Sequence, residues 1–283
     1  MKKVFLKVLL FICIVAVGSP AFAELFQNGG FETGTLSGWT VDYGKRNAGA
    51  ETVNWGTAYP SEGNPAGVIG SDGKVATAVR TDNLSLPVGQ TSTILPYVGS
   101  YMALLNDSNG NFHATRLTQQ SSAITAQDIT DNTKIYVDWG AALVEPTNNN
   151  TAHSPSDYPF FEIDILKNGS KIDTFKINSH NAAGSGWANI GTMNWDNNSG
   201  IIYYEDGQFV YDLASGGFIA GDKITVDMFV ADCGLGGHGA YAFLDGIGTV
   251  QPPPPHGVPE PGTMLLVGLG LVGVAGIKRR FRS

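Results

Sequence analysis

Cysteine is nearly missing from this chain. Cys13 lies in an apolar run near the N-terminus, and Cys233 is alone in the remainder. No intramolecular disulfide can staple the body, so a hydrophobic core has to hold it unaided. Beside an apolar strand, Cys233 reads as a small buried hydrophobe. Positive charge is scarce as well. Setting aside Lys2, Lys3, Lys7, Lys278, Arg279, Arg280 and Arg282 at the two ends leaves ten of the 17 basic residues. Against them stand 24 of the 25 acidic ones once Glu260 is excluded, a net −14. A body that acidic repels phosphate backbones and anionic lipid, which argues against nucleic acid as a partner and favours cations.

Catalytic motifs are missing too. The sequence has no Gly-x-Ser-x-Gly elbow, no HExxH and no phosphate loop. His113, His153, His180 and His256 are dispersed at no ligand spacing, which gives zinc no support. Asp232 and His238 flank a glycine loop and read as groups that satisfy backbone donors and fix a turn. Residues 234–239 fit G-x-G-x-x-G, but an aromatic, strand-like segment follows where a dinucleotide site needs a helix N-terminus. Glu162 and Asp164, two apart on one strand, face the same way at about 7 Å, a separation within the range of inverting glycosidases. Plain alternation on a solvated sheet face explains the pair as well, and no enzyme is expected.

Helix signals are almost absent between the termini, and strand patterns take their place. Ile135, Val137 and Trp139 alternate with Tyr136 and Asp138; Phe161, Ile163 and Ile165 alternate with Glu162 and Asp164. Asn168-Gly169 then predicts a type I′ turn into a strand over residues 171–177. Residues 223–230 alternate most clearly, and residues 241–244 are expected to pair with them. Residues 44–93, 145–159 and 178–200, rich in Asn, Gly, Ser and Pro, read as surface loops. The class is all-β, two packed antiparallel sheets over residues 24–250.

The two ends are of a different kind. Lys2 and Lys3, an apolar run over residues 8–17 and Ala21-Phe22-Ala23 make residues 1–23 a secretory signal peptide. Residues 251–257, with prolines at 252–255, form a stiff linker. Val258-Pro259-Glu260-Pro261 follows, then residues 262–277 without a charge, then Lys278, Arg279, Arg280 and Arg282. Sixteen helical residues rise about 24 Å, short of a hydrocarbon core of roughly 30 Å, so this transmembrane helix is a marginal anchor with its basic end on the cytoplasmic side.

That order of motif, apolar helix and basic tail resembles the PEP-CTERM sorting signal of Gram-negative bacteria. The resemblance implies export by the Sec machinery, transient anchoring in the inner membrane, and processing by an exosortase near the Pro-Glu-Pro. The product would then reach the cell surface or the extracellular space.

A second resemblance rests on Asn28-Gly29-Gly30-Phe31-Glu32 with Trp39, and on Asp232, Gly236-Gly237-His238, Tyr241 and Leu244-Asp245-Gly246. These look like the opening and closing segments of galactose-binding-like jelly rolls, the sandwich of many carbohydrate-binding modules. The resemblance implies a structural calcium held by Glu32 and Asp245, with carbonyls near Gly30 and Thr33. It also makes Trp187, Trp195, Tyr203 and Tyr204 candidates for stacking on exopolysaccharide, with core or edge packing as the other reading. Three function classes follow. The expectation is a non-catalytic surface or matrix protein, ahead of a carbohydrate-binding module and an unrecognised glycan hydrolase.

Overall fold

The computed structural model describes residues 25–56, 66–70, 75–78, 99–106, 112–147, 153–195 and 198–251, with the backbone alone at 75–78, 193–195 and 198. The signal peptide, the sorting motif, the transmembrane helix and the basic tail lie outside the described residues. Among those residues, no helix is long and apolar enough to cross a membrane.

The strands are β1 (Thr40–Arg46), β2 (Val53–Trp55), β3 (Ala66–Gly70), β4 (Val75–Ala78), β5 (Tyr101–Leu105), β6 (His113–Gln120) and β7 (Lys134–Pro146). They continue as β8 (Phe160–Lys167), β9 (Ser170–Asn178), β10 (Ala188–Trp195), β11 (Asn198–Asp212), β12 (Ile224–Ala231) and β13 (Ala240–Gly248). Two short helices, α1 (Ala126–Thr130) and α2 (Ser179–Gly184), interrupt them. Thr125 caps α1 through a reciprocal pair of bonds with Asp128.

The strands form two antiparallel sheets, a six-stranded one in the order β2-β1-β6-β12-β8-β9 and a seven-stranded one in the order β10-β11-β7-β13-β5-β3-β4. Period-2 alternation decides which side chains meet between them. Leu117, Phe161, Ile163, Val226 and Met228 of the first sheet share one buried cluster with Ala103, Ile135, Val137, Ala141 and Leu244 of the second. Each large apolar side chain buried there contributes about 1.5–3 kcal/mol, and this replaces the missing disulfides. The expected antiparallel sandwich is what the chain forms.

The β8–β9 hairpin follows the sequence reading closely. Asn168 and Gly169 have φ of 49° and 85°, the paired positive values of a type I′ turn. Three other expectations are corrected. Residues 44–93 are not a loop, since β1 runs to Arg46 and β2, β3 and β4 lie within them. Residues 178–200 likewise hold α2, β10 and the start of β11. β2, β4 and β10 are edge strands, and the exposed or half-buried side chains of β2 and of residues 188–192 on β10 show why polar sequence is tolerated there. Residues 241–244 do not pair with β12. Strand β12 sits between β6 and β8, whereas β13 sits between β7 and β5 in the other sheet. Both are central strands needing two partners each, and the connection between them crosses the sandwich, with Gly236 and Gly237 at φ of 77° and 80°.

The opening segment closes on itself and then on the last strand. Trp39 Nε1 donates to the Asn28 carbonyl at 3.1 Å, and its ring stacks on Phe31 at 5.1 Å. Ile247 N–H donates to the Gly29 carbonyl at 3.0 Å. The chain thus leaves β13 for the linker at the end of the sandwich that holds residues 25–36. The opposite end collects Arg46, Asp232 and His238, where β1 and β12 stop and β13 starts.

Candidate functional site

Two groupings stand out, one on the outer face of the first sheet and one at the pole opposite the linker. On the outer face, cross-strand register lines up three rows. Trp55, Gly44, Ala114, Ala231 and Phe160 form the first, Asp42, Arg116, Phe229, Glu162 and Lys176 the second, and Thr118, Asp227 and Asp164 the third. Gly44, Ala114, Ala231 and Phe160 in the first row are buried, with Val53, Trp55 and Phe229 packed against that cluster. The Phe229 ring meets Trp55 edge-on at 5.5 Å and Phe160 at 5.8 Å. The Arg116 guanidinium lies over Trp55 at 4.4 Å, and Lys176 lies over Phe160 at 4.2 Å. Trp55 and Phe229 are half-buried.

Charges in the neighbouring rows are paired. Arg116 Nη2 reaches Asp42 Oδ2 at 2.5 Å and its Nη1 reaches Asp227 Oδ2 at 3.5 Å. Lys171 lies against both Glu162 and Asp164, and Lys176 links Glu162 to Glu51. Glu162 and Asp164 are 6% and 4% exposed, so the solvated face expected for them is a covered one. The covering lysines come from β9, folded back through the Asn168-Gly169 turn. Burial alone would raise the Glu162 carboxyl, but Lys171 and Lys176 outweigh it and hold it below the ordinary range. Burial raises Asp164, and the Glu162 carboxylate beside it adds to that against the opposing bond from Lys171. Burial also raises Asp227 above its ordinary value, against Thr118 and Arg116.

The aromatic candidates do not form one stacking surface. Trp187 is in the core, 8% exposed and 6.0 Å from the Trp139 ring. Tyr203 packs against that core and Tyr204 against a separate cluster on the outer face of the second sheet, because neighbours on β11 point to opposite faces. Trp195 ends β10 opposite Asn198, and its side chain lies outside the described residues. Trp55 and Phe229, both half-buried, form an aromatic pair on the outer face of the first sheet instead. Their signal in sequence was only a lone Trp and one outward Phe, with nothing to join them.

Glu32 accepts the N–H groups of Ser100 at 2.9 Å and Tyr101 at 3.2 Å. Asp245 sits at the β-bulge between Leu244 and Gly246, 3% exposed. Glu32 as placed does not fit the expected calcium, since backbone N–H groups already occupy the oxygens an ion would need.

At the opposite pole, Asp232 is fully buried and accepts His113 N–H at 3.0 Å, Ala240 N–H at 2.9 Å and Asn106 Nδ2 at 3.3 Å. It ties β6, β13 and the end of β5 together, the structural role expected of it. The dispersed histidines are a different matter. His153 and His238 meet edge to face at 5.0 Å, and ligand atoms of His153, Cys233 and His238 all lie within 4.8 Å of one another. Tyr158 stacks between His153 and His180. Spacing in sequence carried no hint of this, since residues 153 and 233 belong to different loops.

Residues 257–280 match the family model of the PEP-CTERM protein-sorting motif. No curated protein matches the chain. Among solved structures, a cyclase from Fischerella sp. TAU is similar, with 11% identity, a TM-score of 0.38, and 81% of this chain and 97% of that one covered. Carbohydrate-binding modules of the β-sandwich superfamily are similar at 9% identity and a TM-score of 0.36, covering 78% of this chain and 60% of theirs. The CBM27-1 module of Caldicellulosiruptor saccharolyticus, in complex with mannohexaose, is similar at 11% identity and a TM-score of 0.30, covering 80% and 94%. At these values none of the three bears on activity.

Proposed function

We propose that this is an exported, non-catalytic surface or matrix protein, which an exosortase sorts and trims at its C-terminal signal after delivery by the Sec machinery. The match at residues 257–280 is the observation that carries this reading. The uncharged segment 262–277 is too short to be a comfortable permanent span, which suits a segment read in the bilayer and then removed. The direct test is the intact mass of the mature protein in cells with and without a working exosortase. Loss of the residues beyond the Pro-Glu-Pro only where the enzyme works is the expected result. Full-length protein in the inner membrane of exosortase-competent cells would overturn it.

The body reads as a scaffold rather than a hydrolase. Glu162 and Asp164 are engaged by Lys171, and a carboxylate bonded to an ammonium is poorly placed to give or take a proton from a substrate. A second reading, weak binding of extracellular polysaccharide, is favoured by the half-buried Trp55 and Phe229 rings among the paired charges on the outer face of the first sheet. Aromatic faces beside paired charges are chemistry suited to sugar rings. A pull-down on the producing organism's exopolysaccharide tests it. Binding by wild type and at least a fivefold loss in Trp55→Ala supports it, and equal retention of the two proteins refutes it.

A further inference from the structure

We propose that His153, Cys233 and His238 form a site for one borderline-soft divalent transition-metal ion, of which zinc is the reference, at the end of the sandwich opposite residues 25–36. Candidate ligand atoms of the three residues lie within 4.8 Å of one another. Zinc bonds of about 2.0–2.3 Å at tetrahedral angles place ligand atoms roughly 3.3–3.8 Å apart, so closing on an ion needs shifts of about 1 Å. Two imidazoles and a thiol suit zinc and its neighbours; calcium and magnesium take oxygen.

The orientation of His238 is the second observation. Its Nε2 faces the Ser199 carbonyl at 3.3 Å, and a carbonyl can only accept, so Nε2 carries the hydrogen. The lone pair is then on Nδ1, which is buried without a hydrogen-bond partner of proper geometry, the Gly236 backbone being the other group that interacts with the ring. A backbone carbonyl fixing one nitrogen of an imidazole so that the other is free to bind is the arrangement that orients histidine ligands on metals.

The segments bearing the three ligands are braced to one another. Cys233 N–H donates to the His238 carbonyl at 2.9 Å, Gly236 N–H to the Cys233 carbonyl at 3.1 Å, and Gly234 N–H to the Asp157 carbonyl at 2.8 Å. Asp157 in turn accepts Ser154 N–H at 3.1 Å, holding the turn that follows His153. Cys233 and His238 are 0% and 1% exposed, whereas His153 is half-buried. Binding breaks the S–H bond of Cys233 and forms a sulfur–metal bond; the proton leaves to water, and no electron is transferred. Three protein ligands leave one tetrahedral position for water.

The test uses the full chain, purified in detergent under reducing conditions and stripped with chelator, then titrated with Co2+ and Zn2+ alone. One equivalent of Co2+ is expected to produce tetrahedral visible bands and a near-ultraviolet thiolate-to-cobalt band, both bleached by Zn2+. Cys233→Ser should abolish the thiolate band, and His153→Asn should weaken Co2+ binding at least tenfold. His153 is the partly exposed ligand, so that variant is the one to rely on if Cys233→Ser fails to fold, with circular dichroism matched to wild type. No thiolate band in wild type, a band that survives Cys233→Ser, or unchanged affinity in His153→Asn each overturns the proposal.

Discussion

The ammonium of Lys171 on β9 lies 2.9 Å from Oε1 of Glu162 on β8, and the same nitrogen contacts Asp164. A hairpin has folded its own cation over a carboxylate pair that strand alternation alone would leave in water. The lysine is half exposed, with 50% of its side-chain surface accessible, while the carboxylates are nearly closed off.

Removing that cation leaves two buried like charges. Lys171→Met is expected to lower stability in urea unfolding by about 1–3 kcal/mol, the low end reflecting screening of the exposed ammonium. Adding Glu162→Gln should recover part of the loss. A Lys171→Met variant as stable as wild type would show that the pair needs no counter-charge.

Asp227 supplies a pH test. Its folded pKa is raised above the ordinary carboxylate value, chiefly by burial, so the native state binds this proton more tightly than the unfolded chain. Its contribution is therefore fully present below the unfolded value and is lost as pH rises through the folded one. Relative to Asp227→Asn, wild type should gain stability as pH falls from about 7 towards about 4 in thermal melts. A difference that stays flat, or that slopes the other way, contradicts the burial argument.

Gly29 tests the closure between the opening segment and the last strand. A Cβ there would lie 2.1 Å from the Ile247 carbonyl oxygen, which belongs to the backbone and cannot swing away. Gly29→Ala should cost roughly 3 kcal/mol or more, read as a lower urea midpoint, since overpacking against backbone leaves only displacement of the strand.

Gly169 offers the contrasting case. It has φ of 85° with nothing within 4 Å of the position a Cβ would take. Gly169→Ala should cost about 1 kcal/mol from backbone strain alone, with the β8–β9 register retained in the amide exchange pattern. A larger loss would show that this turn does more than reverse the chain.

Features readable from the residues are those encoded locally. Alternation over Phe160–Lys167, the Asn168-Gly169 turn and the C-terminal motif each depend on residues within a few positions of one another. Side-chain period and turn chemistry are short-range, so the all-β class and the sorting motif were both legible. Edge strands β2, β4 and β10 were not, because a strand with one free edge carries little of the alternating apolar signal.

Partnership across the sandwich belonged to the tertiary structure. The residues themselves determined that the chain is an exported β body with an apolar, basic-ended tail. Folding decided that β12 and β13 part into different sheets, that Trp187 turns inward while Trp55 remains half-exposed, and that His153 and His238 meet beside Cys233. The physical reason is that apolar patterning specifies which face a side chain takes but not which distant strand lies opposite. That choice is made by the whole core as it closes.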